Sequence, residues 1–186
     1  MVNAPESWTI EEYKDVDSTN YYQMVQNVSK NDPVELETAM KSLQRFARDH
    51  ARLPMQWSPG ANGGFSSSSA KTWMRVHDNY PEINVEVEEN DQSSVLSFWK
   101  RVIQLRKEYA DLMVFGEFEI LDEQNEKVFT YIKRGQGQSV LVVLNFSEET
   151  LKFEKPAAVQ DPKVLLRNVE GNLNELQPFE GRVLLF

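Results

Sequence analysis

The chain has 186 residues, and its 20 Lys and Arg face 29 Asp and Glu, so the formal net charge is −9 at pH 7. This sign argues against a nucleic-acid partner and against an anionic-membrane partner, because phosphate groups would be repelled. The chain has no Cys, which excludes disulfides and thiolate metal sites. A hydrophobic fraction of 40% and a charged fraction of 26% are typical of a soluble globular protein.

The beginning of the chain shows no targeting signal. Residues Met1 to Glu6 have neither the basic head nor the apolar run of a signal peptide. No apolar run in the sequence approaches the length that spans a bilayer. We therefore predict a cytoplasmic protein with no membrane partner.

Helical periodicity dominates the first region, residues 1–111. Asp32, Pro33 and Glu35 predict an N-cap, a proline at the first helical position and a capping-box acid. The helix that starts there is expected to run straight into Arg48. A shorter helix is predicted from Ser18 to Val28 and a third between residues 93 and 109. No hydrophobic core is evident in this region beyond the apolar stripes of its helices.

Residues 58–91 lack periodicity. Their first part, residues 58–69, consists of turn-forming residues and a run of serines. A loop of this length is usually functional or disordered. The aromatic residues Trp57, Phe65, Trp73 and Tyr80 favour an ordered loop, since disordered segments are poor in aromatics.

After Leu112 the hydrophobic period becomes two, which predicts strands separated by turn signals. The predicted strands are 115–121, 127–133, 139–146, 151–153, 163–167 and 182–186. Short strands with frequent turns indicate an antiparallel sandwich or barrel. We therefore predict two domains, residues 1–111 and 112–186.

The segment from Arg48 to Trp57 is the strongest candidate for a ligand site. Its guanidinium groups, on Arg48 and Arg52, suit bidentate partners and hydroxyl-rich ligands. A second interpretation is purely structural: the two arginines pair with acids on a neighbouring element, and Asp49 hydrogen-bonds at the helix end. Spacing alone leaves both interpretations open.

Other catalytic or metal-binding patterns are absent from the sequence. The carboxylates form no defined catalytic pair, and the acids between Glu82 and Asp91 are more typical of a solvated surface than of a calcium site. His50 and His77 have no third ligand at a zinc-site spacing, and no glycine-rich phosphate loop is present. We expect no metal and no cofactor.

Segments along nearly the whole chain resemble one family. The sequence Arg48-Asp49-His50-Ala51-Arg52-Leu53-Pro54-Met55-Gln56-Trp57 is the most specific of them, and the others are 8–17, 64–65, 73, 79–80, 83–85, 94–101, 105–107, 143–147 and 178–182. They are similar to the α-glucosidases of the α-amylase superfamily, in the branch of maltases, isomaltases and oligo-1,6-glucosidases, and most of all to the yeast-type enzymes. The matching part of the family is its C-terminal portion.

The resemblance implies a fold and an activity. The fold is an α+β arrangement, in which the helical end of a (β/α)8 catalytic barrel precedes an all-β antiparallel sandwich domain. A complete barrel needs roughly 250 residues, more than the helical region offers. The activity is retaining hydrolysis of terminal α-linked glucose from maltose-type or isomaltose-type oligosaccharides. The three catalytic carboxylates of the family lie on earlier barrel strands and match no residue here, so we expect no catalytic residue and no activity from this chain alone.

The resemblance also implies two substrate-binding residues. Arg48 corresponds to the arginine that contacts the glucose at the cleavage site, with an aspartate partner from a part of the family that this chain does not match. Arg52 corresponds to the arginine near the mouth of the pocket, next to the following sugar. Leu53 replaces a threonine usual in the family, which leaves one hydroxyl contact in question but not the pocket arginine.

Three hypotheses for function follow. The chain is an inactive piece of a glucosidase, a module that binds an α-glucoside weakly through Arg48, Arg52 and Trp57, or a scaffold that associates with a full-length homologue or with itself. The third hypothesis expects exposed apolar side chains at Leu36, Met40 and Leu43, where barrel neighbours would pack.

Overall fold

The structure is a computed structural model that describes residues 3–186. The segment in which we predicted no signal peptide starts at Met1. Met1 and Val2 lie outside the described residues. The chain forms two compact units that divide between Gln92 and Ser93. The predicted boundary lay at residue 112, and the difference is one helical segment, since the helix Val95–Glu108 belongs to the same unit as the strands.

The first unit is helical and irregular. Its elements are a 3-10 turn at Ile10–Glu12, α1 (Val16–Val28), α2 (Pro33–Phe46), 3-10 turns at Arg48–Ala51 and Ala61–Gly64, and α3 (Val85–Asn90). The start of α2 agrees with the prediction, because the Asp32 carboxylate accepts hydrogen bonds from the backbone N–H groups of Val34 at 2.9 Å and Glu35 at 3.3 Å.

The end of α2 differs from the prediction. The helix was expected to continue into Arg48, but it ends at Phe46, and Ala47 has extended dihedral angles, φ −62° and ψ 137°. A separate 3-10 turn then carries residues Arg48–Ala51. This break gives the arginine segment an orientation that is independent of the helix axis.

The first unit does have a hydrophobic core, contrary to the expectation. Trp8 and Tyr13, which lie outside the helices, meet edge to face with ring centroids 5.5 Å apart and pack with Leu43. The remaining members of the cluster are Ala4, Ala47 and Met74, with Ile10, Tyr22, Met40 and Leu53 against its edge. Helical periodicity missed this core because, of its six buried residues, only Leu43 lies within an α-helix. Leu43 is buried here, so its predicted exposure is wrong.

The aperiodic segment after Trp57 is ordered by side-chain hydrogen bonds. The Asn62 amide donates to the backbone carbonyls of Ser67 at 2.8 Å and Ala70 at 3.1 Å. Asn84 is the N-cap of α3, a helix that was not predicted, and its side chain accepts a hydrogen bond from the N–H of Val87 at 3.0 Å. The prediction of an ordered loop agrees with this geometry.

The second unit begins with two helices and continues as antiparallel sheet. Its elements are α4 (Val95–Glu108), α5 (Ala110–Met113), β1 (Glu117–Leu121), β2 (Val128–Arg134), β3 (Ser139–Asn145), β4 (Leu151–Lys152), β5 (Lys163–Arg167), β6 (Glu175–Leu176) and β7 (Gly181–Leu185). The main sheet has the order β1-β2-β3-β7-β5, and β4 pairs with β6 in a second sheet. The predicted α+β fold is confirmed, with α5 and β6 as additional short elements.

The core of the second unit lies between its two sheets. The register places Ile132 opposite Leu141 and Leu141 opposite Leu184, so these three side chains share one face of the main sheet. Leu176 from β6 and Val159 from the β4–β5 connection pack against that face. Strand β3 is buried on both faces, since Val140 and Val142 are also buried.

A buried ion pair joins the two sheets. Arg182 lies opposite Val143 and therefore on the core face. Its guanidinium is 2.7 Å from the Glu180 carboxylate and donates to the backbone carbonyls of Asn172 and Glu175, while the other Glu180 oxygen accepts from the N–H of Gln177 at 2.7 Å. These contacts hold the β6 segment against the main sheet.

Candidate functional site

Asp49 is the anchor of the arginine segment. Its side chain is fully buried, and its carboxylate accepts hydrogen bonds from the backbone N–H groups of Lys14 and Asp15, each at 3.1 Å. These bonds attach the chain just before α1 to the 3-10 turn. The structural role proposed for Asp49 from sequence is therefore present, although its partners are in the N-terminal segment and not at the end of α2.

Asp15, placed by that anchor, lies between the two arginines. Its Oδ1 accepts a hydrogen bond from Nη1 of Arg52 at 2.6 Å, and its Oδ2 is 4.0 Å from Nε of Arg48. The hydrogen bond from Arg52 holds the pKa of the Asp15 carboxyl below its usual value, with further help from the charge of Arg48 and against the opposing effect of burial. The carboxylate is thus ionised at neutral pH, and its hydrogen bond orients the Arg52 guanidinium, while its Oδ2 makes no hydrogen bond to Arg48.

Arg48 has a second acidic neighbour, Asp17 of α1, to which it donates a hydrogen bond. The predicted aspartate partner lay outside the chain, whereas the carboxylates beside Arg48 in this structure come from the chain itself. Both arginines nevertheless remain open to solvent, with side chains 65% exposed for Arg48 and 48% for Arg52. Each guanidinium is held by acids on one side and is accessible on the other, so the two interpretations of the segment are compatible.

Buried polar atoms without partners surround this cluster. Nε2 of His50, Oη of Tyr13 and Nε1 of Trp8 find no hydrogen-bond partner among residues 3–186. Burial lowers the pKa of His50, and the nearby charge of Asp49 acts in the opposite direction. Burial, and then the charge of Asp49, raises the pKa of Tyr13 to about 12. Both side chains are therefore neutral at pH 7 and add no charge to the site.

An aromatic pair adjoins Arg52. The indole Nε1–H of Trp73 donates to the backbone carbonyl of Arg52 at 2.7 Å, and the Phe65 ring meets the indole edge to face with centroids 5.0 Å apart. Both residues belonged to the segments that resemble the family, but nothing in their spacing predicted that they meet at Arg52. Trp57, the third aromatic proposed from sequence, is half exposed.

Metal binding has no support in the described part of the chain. Among residues 3–186, no group of three or more His, Asp or Glu side chains is placed to hold an ion. No helix of the same residues is long and apolar enough to cross a membrane.

In the second unit, helix α4 carries apolar residues that line a cavity and others that are exposed. A cavity of 690 Å³ lies between α4 and the main sheet, and Phe98, Val102 and Leu105 line its helical side. On α4, Val95, Trp99 and Ile103 recur every four residues as an exposed stripe, which we call the α4 stripe. A helix with apolar residues on several faces is typical of a position with neighbours on several sides.

Comparison with known families identifies the chain. Residues 10–116, more than half of the chain, match the model of the α-amylase catalytic domain, and residues 118–181 match that of the maltogenic amylase C-terminal domain. The chain belongs to the α-amylase family. The resemblance found from sequence is confirmed, and the described part contains helices and antiparallel sheet but no closed barrel.

Individual relatives agree with this assignment. An α-glucosidase of Candida albicans is 42% identical over 98% of this chain, which covers 32% of that enzyme. The probable oligo-1,6-glucosidase 2 of Bacillus subtilis is 37% identical over 100% of the chain, which covers 33% of it. The crystal structure of Bacillus licheniformis trehalose-6-phosphate hydrolase superposes on the whole chain with a TM-score of 0.84 at 28% identity, and the chain covers 34% of it. The chain thus spans about a third of the length of the curated relatives that it matches.

Proposed function

We propose that the arginine segment is the glucose-holding part of an α-glucosidase site. Arg48 binds hydroxyl groups of a terminal α-linked glucose, and Arg52 binds the neighbouring sugar. The observation that carries the proposal is the geometry around Asp15 and Asp17: the buried carboxylate of Asp15 holds Arg52, Asp17 accepts a hydrogen bond from Arg48, and both guanidinium groups stay accessible to solvent. Fixed guanidinium donors lose less freedom on binding a hydroxyl-rich ligand than mobile ones.

The reaction that we propose for an enzyme containing this segment is retaining hydrolysis of terminal α-linked glucose from maltose-type or isomaltose-type oligosaccharides. It is supported by the α-glucosidases and oligo-1,6-glucosidases among the relatives. Such a reaction requires a carboxylate nucleophile and an acid/base carboxyl. In this chain Asp15, Asp17 and Asp49 are engaged by arginines or backbone N–H groups. Because no residue of this chain matches the catalytic carboxylates that the resemblance implies, we propose that the chain by itself binds the sugar but does not hydrolyse it.

Two measurements on the purified chain test the proposal. Ligand-observed NMR with methyl α-glucoside is expected to show saturable binding at millimolar concentrations, and Arg48→Lys is expected to weaken it at least threefold, since lysine is a point charge without the planar donor fork. A chromogenic α-glucoside is expected to give no turnover above the blank.

Arg134→Ala is the matched control for Arg48→Lys. Arg134 is also an exposed arginine paired with a carboxylate, at 2.6 Å from Glu119, but it lies in the second unit. Its removal should leave binding unchanged. Equal binding by the wild type and Arg48→Lys would refute the role of Arg48, whereas turnover by the wild type would refute the proposed inactivity.

The α4 stripe supports a second candidate function, association with a full-length homologue or with a second copy of the chain. Val95, Trp99 and Ile103 present a continuous apolar surface that a helix or sheet face would cover. Of the residues Leu36, Met40 and Leu43, for which association was predicted from the sequence, Leu43 is buried and does not contribute to such a surface. Sedimentation velocity of Ile103→Glu against Gln104→Glu on the same helix tests the stripe: only the first substitution should reduce association, and equal masses for both would refute it.

We also propose a cytoplasmic location, as expected from the sequence. Fractionation of cells that express the untagged chain would test it, and recovery in the secreted fraction would contradict it.

A further inference from the structure

The aromatic pair at Arg52 has features of a ligand surface and not of core packing. Trp73 is 58% exposed and Phe65 is 37% exposed, although both side chains have fixed orientations. The hydrogen bond from Nε1 of Trp73 to the Arg52 carbonyl sets the direction of the indole, and the edge of Phe65 braces it. A large aromatic ring that is held rigidly while its surface faces solvent loses little conformational entropy when it binds a ligand.

We propose that Trp73, braced by Phe65, is a stacking platform for the pyranose ring next to the one that Arg48 holds. This inference rests on the proposed function, because it assumes that Arg48 binds the terminal glucose. It assigns to the neighbouring ring a stacking surface, in addition to the hydrogen-bond donors that Arg52 provides. The ligand class is an α-linked disaccharide or longer oligosaccharide with an unmodified pyranose at that position.

The chemistry of a pyranose suits this arrangement. Its C–H groups form an apolar face with a slight positive charge, which the electron-rich face of an indole attracts. Its hydroxyl groups lie around the edge and need hydrogen-bond partners. Arg52 contributes to both requirements, since its carbonyl positions the indole while its guanidinium, fixed by Asp15, supplies donors. One residue therefore couples the stacking surface to the hydrogen-bonding edge.

The consequence is a preference for ligand length. On this assignment a monosaccharide occupies only the position at Arg48, whereas a disaccharide contacts both Arg48 and Trp73. The wild-type chain should thus bind isomaltose or maltose more tightly than methyl α-glucoside. Removal of the ring should reduce this preference about three- to tenfold, the range expected for one aromatic contact.

Ligand-observed NMR titration of the purified chain with methyl α-glucoside, maltose and isomaltose tests the platform. Trp73→Ala is expected to weaken disaccharide binding and leave monosaccharide binding unchanged. Trp73→Phe, which keeps a ring but loses the Nε1–H bond, should recover part of the loss. Phe115→Ala is the control, because Phe115 is an exposed aromatic residue of the second unit. Far-ultraviolet circular dichroism and a thermal melt establish that each variant is folded.

The outcomes separate the platform from the function on which it rests. Loss of monosaccharide and disaccharide binding in Arg48→Lys, with an unchanged length preference in Trp73→Ala and Trp73→Phe, would overturn the platform and keep the proposed function. Loss of the length preference in Trp73→Ala, with unaltered binding in Arg48→Lys, would keep the platform and overturn the role of Arg48. No saturable binding of any sugar by the wild type would overturn both.

Discussion

The two units of the molecule differ in how their buried polar groups are paired. In the second unit, the buried Glu180 and Arg182 neutralise each other and bind backbone groups of the β6 segment, although Nε of Arg182 has no hydrogen-bond partner among residues 3–186. In the first unit, Trp8, Tyr13 and His50 each bury a polar atom that has no hydrogen-bond partner among residues 3–186. An unpartnered buried donor or acceptor costs about 1–3 kcal/mol of folding free energy. The comparison teaches that the second unit pairs its buried charges with each other, whereas the first unit buries polar atoms of several separate side chains without partners.

Breaking the buried ion pair between Glu180 and Arg182 is expected to have the largest effect on stability. Arg182→Leu leaves Glu180 as a buried charge without its partner, so we expect the free energy of unfolding of the second unit to fall by about 3–5 kcal/mol. Hydrogen–deuterium exchange should show faster exchange in β3 and β7 and no change in α2.

Two variants are controls for that experiment. Lys127→Ala breaks the exposed pair with Glu149, which contributes only about 0–1 kcal/mol. The double variant Glu180→Leu/Arg182→Leu removes both charges and should recover part of the lost stability. If Arg182→Leu and Lys127→Ala lower the free energy of unfolding equally, the buried pair contributes no more to the stability of the second unit than an exposed pair does.

Removal of the Tyr13 hydroxyl is expected to raise stability instead of lowering it. Tyr13→Phe removes a buried hydroxyl that has no partner, so it should stabilise the first unit by about 1 kcal/mol. The control is Tyr21→Phe, since Tyr21 is exposed and its hydroxyl is solvated. Denaturant unfolding that follows exchange in α2 measures both variants. A loss of stability in Tyr13→Phe would show that the hydroxyl is satisfied in solution.

The smallest expected effect is a pH dependence from His50. Because burial lowers the pKa of His50 in the folded chain, the unfolded chain binds the proton more readily. Stability should therefore fall as the pH decreases below about 6.5, the usual pKa of histidine. Asp15 does not contribute in this range, since its lowered pKa places its effect below about pH 4.

Thermal melts at pH 7 and pH 5 measure this effect. The decrease in midpoint between the two values should be smaller in His50→Gln than in the wild type. An identical decrease in both would mean that His50 is not the titrating group.

Local signals in the sequence predicted much of the fold. Asp32 and Pro33 predicted the start of α2 because a cap depends on adjacent residues, and the strands β2 and β3 were predicted as short apolar segments between turn signals. The core around Trp8 and Tyr13 was not predicted, because it joins segments without a periodic pattern. Strand β6 has two residues, too few to show alternation.

The candidate site was predicted in part. The guanidinium chemistry of Arg48 and Arg52 was evident from residue type, and the resemblance to a family indicated their role. Their attachment to Asp15 depends on the fold, since the hydrogen bonds of Asp49 bring together residues that lie more than 30 positions apart in the chain. The contact of Trp73 with Arg52 spans 21 positions and has no sequence signal at all.

The Asn62 amide, which ties the backbone carbonyls of Ser67 and Ala70 to its own turn, has a consequence for protein engineering. These two bonds reach main-chain oxygens, which every residue type possesses. Asn62 also donates to the hydroxyl of Ser66 at 3.1 Å, and the hydroxyls of Ser67 and Ser69 lie 3.2 Å apart at the surface, so the path of the loop depends more on the asparagine than on Ser68 and Ser69. Ser68 and Ser69 are exposed. A library randomised at these two positions should therefore give mostly folded variants, whereas one randomised at Asn62 should not.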